Sequence, residues 1–158
     1  MNLFIELHQD LLRKLLNAGV DFIVIGDYSV IYHGYNRTTG DIDIWLKPDN
    51  ANKAKLLPVL RDFGFEESDL IDVATLNFTD HIVFSIGDYP EKIDFITRIN
   101  LVEYDEADRQ KIFAEVDGLT VPFLHLNHLV LSKMNTGRPK DQADVDMLQK
   151  IERAKDKK

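Results

Sequence analysis

Asp41 and Asp43 stand two residues apart in the run GYNRTTGDIDIWL, residues 34–46. Side chains alternate along an extended chain, so Ile42 and Ile44 face one way while Asp41, Asp43 and then Trp45 face the other. Two like charges about 7 Å apart on one strand face repel unless water or a cation stands between them. Carboxylates fit hard divalent cations, and Mg2+ at a phosphate site takes one or two of them together with phosphate oxygens and water. Asp94 in EKIDFIT offers a third acid: Ile93 and Phe95 share one face, so Lys92, Asp94 and Ile96 share the other. If this strand lies beside the first, the three carboxylates form a trio of the kind that in-line displacement at phosphorus uses. Taken singly, each acid also fits a solvated strand face.

Cations and backbone donors are available nearby. In VIGDY an apolar strand runs through Gly26 into a helix start, where unpaired N–H groups and the positive helix end suit a phosphate. Lys133 offers a compact cation for phosphate, or else a solvated helix lysine. Tyr28, Tyr32 and Tyr35 lie near the glycines and could stack a base or pack against a core. His125 and His128 could share a helix face but lack a third metal ligand, which favours partly buried helix residues. No Gly-x-Ser-x-Gly elbow surrounds Ser29, Ser85 or Ser132, and there is neither a phosphate-binding P-loop nor a His-Glu-x-x-His zinc helix.

The elements that must position these residues follow from periodicity. Leu3, Leu7, Leu11 and Leu15, with Phe4, Leu12 and Leu16, mark a helix closed near Gly19. VDFIVIG suits a buried strand, and DYSVIYHG a helix with Asp27 as its N-cap and Gly34 as its stop. DIDIWLK is a strand ended by Pro48-Asp49-Asn50, and NANKAKLLPVLRDFGF a helix despite Pro58. HIVFSIG and EKIDFITR form a hairpin across Asp88-Tyr89-Pro90, and IFAEVDGLTVPFL a second one at Asp117-Gly118. LNHLVLSKMN and KDQADVDMLQKIERA finish the chain as helices. That order predicts an α+β fold, an α/β sandwich with a mixed sheet and helical cover, rather than a regular doubly wound one.

Composition narrows the class. With 158 residues, 44% of them hydrophobic, the chain fits one domain spanning 1–158. It has no cysteine, hence no disulfide or thiolate metal site. No apolar run is long enough to span a membrane and no signal peptide opens the sequence, which makes the cytoplasm the expected compartment. A net charge of −8 argues against bulk DNA or RNA coating, though not against one nucleic-acid end docking at a local basic patch.

The combination IGDYSVIYHGYNRTTGDIDIWL resembles the signature of the nucleotidyltransferase fold, particularly its minimal prokaryotic branch. That branch includes toxin–antitoxin and abortive-infection type proteins and small antibiotic nucleotidyltransferases. Its pattern is an apolar strand, Gly-Gly or Gly-Ser, a short helix, then Arg-x-Thr-x-Asp-hydrophobic-Asp, which Arg37, Thr39, Asp41 and Asp43 match. LSKMNTGRPKDQADVDML resembles the Lys…Arg-x-Lys-Asp-x-x-Asp stretch of the same branch. The resemblance implies that Asp41 and Asp43 ligate Mg2+ or Mn2+ and that Asp94 is the third carboxylate, a base or metal-linked orienter for the attacking hydroxyl. It implies that Gly26 lets the backbone approach nucleotide phosphates, that Lys133 meets the triphosphate, and that Arg37, counted with the nucleotide-binding residues, braces the carboxylate loop or pairs with an acid. Arg138 and Lys140 would be a basic edge or plain turn charges, and Asp141 and Asp144 would cap or pair on the last helix. The implied reaction moves a nucleoside monophosphate from an NTP to a hydroxyl on a tRNA end, a protein or a small molecule, with a cognate partner protein as a further expectation. Asp27 departs from the pattern, because an ionised carboxylate is acceptor-only and repels phosphate where Gly or Ser would bind it. Ser29 offers a hydroxyl two residues on. The departure keeps open a non-catalytic member that binds nucleotide or a partner, and the carboxylates alone would also suit a metal-dependent phosphodiesterase.

Overall fold

The computed structural model of the chain describes residues 3–87 and 91–156. Its elements run α1 (Glu6–Asn17), β1 (Phe22–Ile25), α2 (Gly26–Tyr32), β2 (Ile42–Leu46), α3 (Asn50–Asp62), α4 (Glu67–Thr75), β3 (Val83–Ile86), β4 (Ile93–Ile96), α5 (Tyr104–Gln110), β5 (Ile112–Val116), β6 (Leu119–Phe123), α6 (Leu126–Lys133) and α7 (Pro139–Asp156). The six strands form one mixed sheet in the order β3-β4-β2-β1-β6-β5. β1 runs antiparallel to β2 and parallel to β6, while β2 and β4 are parallel. The fold is α+β, as the element order predicts.

Two apolar layers enclose the sheet. Ile42, Ile44, Ile93 and Phe95 pack with Leu11, Leu12 and Leu15 of α1, Leu56, Val59 and Leu60 of α3, and Leu70 and Val73 of α4. On the opposite face Ile23, Ile25 and Trp45 pack with Tyr104, Leu129, Val130, Val145 and Leu148, from α5, α6 and α7. The alternation expected for DIDIWL thus holds: Ile42 and Ile44 belong to one layer and Trp45 to the other. Trp45 is anchored by Nε1 donating to the Thr97 carbonyl at 3.0 Å, so the polar atom of a buried ring is satisfied.

Both expected hairpins form. β3 pairs antiparallel with β4, and the connecting Asp88-Tyr89-Pro90 lies outside the described residues. At the other, Asp117 and Gly118 both take positive φ (54° and 79°), the conformation a two-residue hairpin turn needs. Pro58 sits inside α3, which continues through it to Asp62. Two short helices, α4 and α5, are additions to the sequence reading. Their buried sets are only Leu70 with Val73, and Tyr104 with Ala107, too few to show a period. Asp27 does not cap α2. The N-cap position is Ile25, without a side-chain cap, because Gly26 at φ +69° turns the chain one residue earlier.

Candidate active site

Asp43 on β2 and Asp94 on β4 are register partners across a parallel pair, so their carboxylates leave the same sheet face side by side. Asp41 stands just before β2, where its Oδ1 accepts from the Lys92 backbone N–H at 3.0 Å and ties the starts of the two strands together. Asp94 is held from both sides: Ser85 Oγ of β3 donates to its Oδ1, and Lys92 Nζ lies 3.5 Å from its Oδ2. Asp43 lies against Gly26, whose missing side chain is a steric necessity. A Cβ there would come 2.0 Å from Asp43 Oδ2, and the positive φ is itself costly for any other residue.

This crowding shows in the electrostatics. Burial, then the Asp94 charge and a hydrogen bond to it, then Asp27 and Asp41, push the Asp43 carboxyl up to about 7. Asp43 has no ion-pair partner among the described residues, while Asp94 has Lys92. Both carboxylates line a cleft of about 330 Å³ together with Gly26, Asp27, Asp41, Lys133, Arg138, Lys140 and Asp141. A larger cavity of about 570 Å³ shares Gly26, Lys133, Arg138 and Asp141 with that cleft and is walled by Ile25, Ile96, Ile99 and Leu129.

An ion-pair lattice holds the basic side in place. Arg37 donates a fork to Asp144, Nη1 to Oδ1 at 2.8 Å and Nη2 to Oδ2 at 3.2 Å, and Nη2 also reaches Asp27 Oδ1. Lys133 Nζ lies 2.9 Å from Asp144 Oδ2 and 3.6 Å from Asp141 Oδ1. Arg138 Nε lies 2.6 Å from Asp141 Oδ2, and Lys140 Nζ 3.4 Å from Asp27. Asp144 is 1% exposed; burial alone would raise its carboxyl, yet hydrogen bonds from Arg37 and Lys133 hold it below the ordinary range.

The profile of the family described as nucleotidyltransferase of unknown function (DUF6036) matches residues 2–154. The chain belongs to this nucleotidyltransferase family. Among solved structures, a proposed nucleotidyltransferase of Thermotoga maritima superposes with a TM-score of 0.59 at 16% identity, covering 90% of each chain, and thereby shares the fold. An antigenic nucleotidyltransferase-like protein of Paracoccidioides brasiliensis gives a TM-score of 0.46 at 14% identity, over 89% of this chain and 71% of its own. No match is found among curated proteins.

Within this member of the family, the site residues named from sequence meet unevenly. Asp41, Asp43, Asp94, Gly26, Asp27 and Lys133 all line one cleft. Arg37 lies behind it, spent on Asp27 and Asp144, with its guanidinium 5.0 Å from the Tyr35 ring centroid. Ser29 is a correction: two residues past Asp27 is about 200° around a helix, so its side chain turns inward, is fully buried and lines neither cavity. Its hydroxyl has no partner among the described residues. Lys133 is not a solvated lysine, being 12% exposed and doubly paired. Arg138 and Lys140 border the cleft rather than serving as plain turn charges.

Packing accounts for the remaining aromatic and histidine candidates. Tyr28 lies against Phe4 and His8, and Tyr32 stacks on Phe123. His125 caps α6, its Nδ1 accepting from the Asn127 N–H, and His128 is buried. No group of three acids and histidines among the described residues forms a ready-made metal shell. What exists is the Asp43–Asp94 pair, with Asp41 at its edge. Sequence reasoning missed the central place of Asp144 and the contact of Ser85 with Asp94. The second was off by one residue, because counting back from an 88–90 turn sets residue 84 opposite residue 94, whereas the register pairs Ser85 with Asp94.

Proposed function

We propose that the chain is a Mg2+- or Mn2+-dependent nucleotidyltransferase that moves a nucleoside monophosphate from an NTP to a hydroxyl acceptor, releasing pyrophosphate. One observation carries this reading: the in-register Asp43–Asp94 pair, with no cation on Asp43, lines a lysine- and arginine-bordered cleft beside a glycine helix start. The donor set fits the ion, since it consists of carboxylate oxygens with Asp43 strained toward protonation for want of a cation. Asp43 and Asp94 would hold it, with Asp41 beside them, and a bound divalent ion supplies charge neutralisation at the reacting phosphoryl group.

The chain's own residues do the rest. Asp94 orients the acceptor hydroxyl and takes its proton. Lys133, fixed by Asp144 and Asp141, presents its ammonium at the mouth shared by both cavities, where a phosphate chain gains most from a compact cation. Gly26 keeps the backbone clear of Asp43. An RNA end, a protein side chain or a small molecule would each supply the hydroxyl, in the cytoplasm, and a cognate partner of the toxin–antitoxin kind would fit the branch the sequence resembles.

A second reading rests on Asp27. Its carboxylate occupies Lys140, a cleft cation that would otherwise be free for phosphates, and also draws on Arg37, and this favours a member that binds a partner or nucleotide without turnover. Incubation with Mg2+ and each labelled NTP, with and without total RNA, separates the two. Pyrophosphate release supports the enzyme; nucleotide binding without release supports the second reading; neither binding nor release rejects both.

A further inference from the structure

We propose that Ser85 is a built-in acceptor and that the protein nucleotidylates itself there. The inference rests on the reading of the cleft as a nucleotidyltransferase site. Ser85 stands on β3, directly opposite Asp94 in the antiparallel register, and its hydroxyl donates to Asp94 Oδ1. A hydroxyl bonded to the carboxylate that takes the acceptor's proton already holds an acceptor's place. The other oxygen of Asp94 faces Lys92 Nζ at 3.5 Å, so an outside hydroxyl competes with two of the chain's own groups for this base. β3 is an edge strand and Ser85 is exposed, which leaves its Oγ open to an incoming nucleotide.

The geometry sets the chemistry. A nucleotide held in the cleft would bring its α-phosphorus beside Asp94, to which Ser85 of the neighbouring strand is hydrogen-bonded. The Ser85 Oγ lone pair forms the new bond to that phosphorus, and the Oγ proton passes to Asp94. The bond from the α-phosphorus to the bridging oxygen breaks, and its electron pair leaves with pyrophosphate. The product is a phosphodiester between serine and nucleoside, and the reaction needs no co-substrate beyond the NTP and its divalent ion. Because the attached nucleotide then covers Asp94, the modification is limited to one event per chain and closes the base to other acceptors.

The test incubates the whole protein with Mn2+ and each NTP in turn, follows intact mass, maps the modified peptide, and measures NTP binding by calorimetry in parallel. The expected result is one nucleoside monophosphate per chain, on Ser85, at a rate per chain independent of protein concentration. Ser85→Ala, checked by its melting curve to be folded, should bind NTP and take no label. NTP binding by the wild type without label overturns the inference and leaves the nucleotide site standing. A label on another residue, or one that survives Ser85→Ala, also overturns it. Absence of NTP binding removes the reading of the site and this inference together.

Discussion

On one face of β2 and β4, Ile42, Ile44, Ile93 and Phe95 are shut in by the leucines of α1 and α3. On the other, one residue along in each strand, Asp43 and Asp94 stand side by side beneath a glycine turn. The first face gains free energy from every buried side chain, at about 25 cal/mol per Å² of apolar surface. The second spends some of it, because half-burying two neighbouring carboxylates, one of them without a cation, is unfavourable until a proton or a metal ion joins them. The lattice of Arg37, Lys133, Asp141 and Asp144 repeats that contrast with the opposite sign. There each buried charge has a partner, and Asp144 is depressed where Asp43 is raised. A buried carboxylate with two cations on it serves the frame, and one with another carboxylate beside it is held ready for a ligand.

Three substitutions or titrations would break or sharpen this contrast. The largest effect belongs to the apolar face. Phe95→Ala should cost about 3–5 kcal/mol, through lost transfer energy and the cavity left behind, read from the midpoint of urea unfolding. A cost under about 1 kcal/mol would mean that this face is not the core. Next, Asp144→Ala leaves Arg37 and Lys133 without their shared acid. It should cost about 2–3 kcal/mol at neutral pH, toward the low side for a broken buried pair because Arg37 and Lys133 keep some contact with water. The difference from wild type should shrink in acid. A depressed carboxyl stabilises the fold above its unfolded value, and that stability is lost as pH falls through the folded one. An unchanged stability at neutral pH would make the lattice a surface feature.

The third effect, the smallest when taken per pH unit, is the pH dependence of the metal-free protein through Asp43. Its folded value of about 7 lies above the roughly 3.9 of an unfolded aspartate, so between those values the folded state binds the extra proton. Stability should therefore decline as pH rises from about 4 to about 7, by at most about 1.4 kcal/mol per pH unit from this group, and level off above. Asp43→Asn should remove that decline. A melting temperature with the same pH profile in both proteins would show that Asp43 is not held in this way.

Most of the frame was legible in the sequence because it rests on local period. The alternation of DIDIWL and EKIDFIT separated core from carboxylates, and Asp117-Gly118 marked its turn. The carboxylate cleft was legible for the same reason, once two strands were set side by side. What escaped depends on long-range or weak signals. Arg37 meets Asp144 across 107 positions of sequence, and no local pattern pairs them. α4 and α5 bury two residues each, below what a period can show. Ser29 was misplaced because its nearness to Asp27 in sequence hid a turn of about 200° around α2.

The most direct test of the central claim, that Asp43 and Asp94 form a divalent-cation site serving a nucleotide, is a calorimetric titration with Mn2+ and NTP in buffers of different ionisation enthalpy. Mn2+ must displace the proton that Asp43 holds, so binding should release up to about one proton at pH 6 and almost none at pH 8. NTP should then bind to the Mn2+-loaded protein, and Asp43→Asn should lose both the cation and the proton release. Mn2+ binding that releases no proton at pH 6, or that survives Asp43→Asn unchanged, would contradict the account.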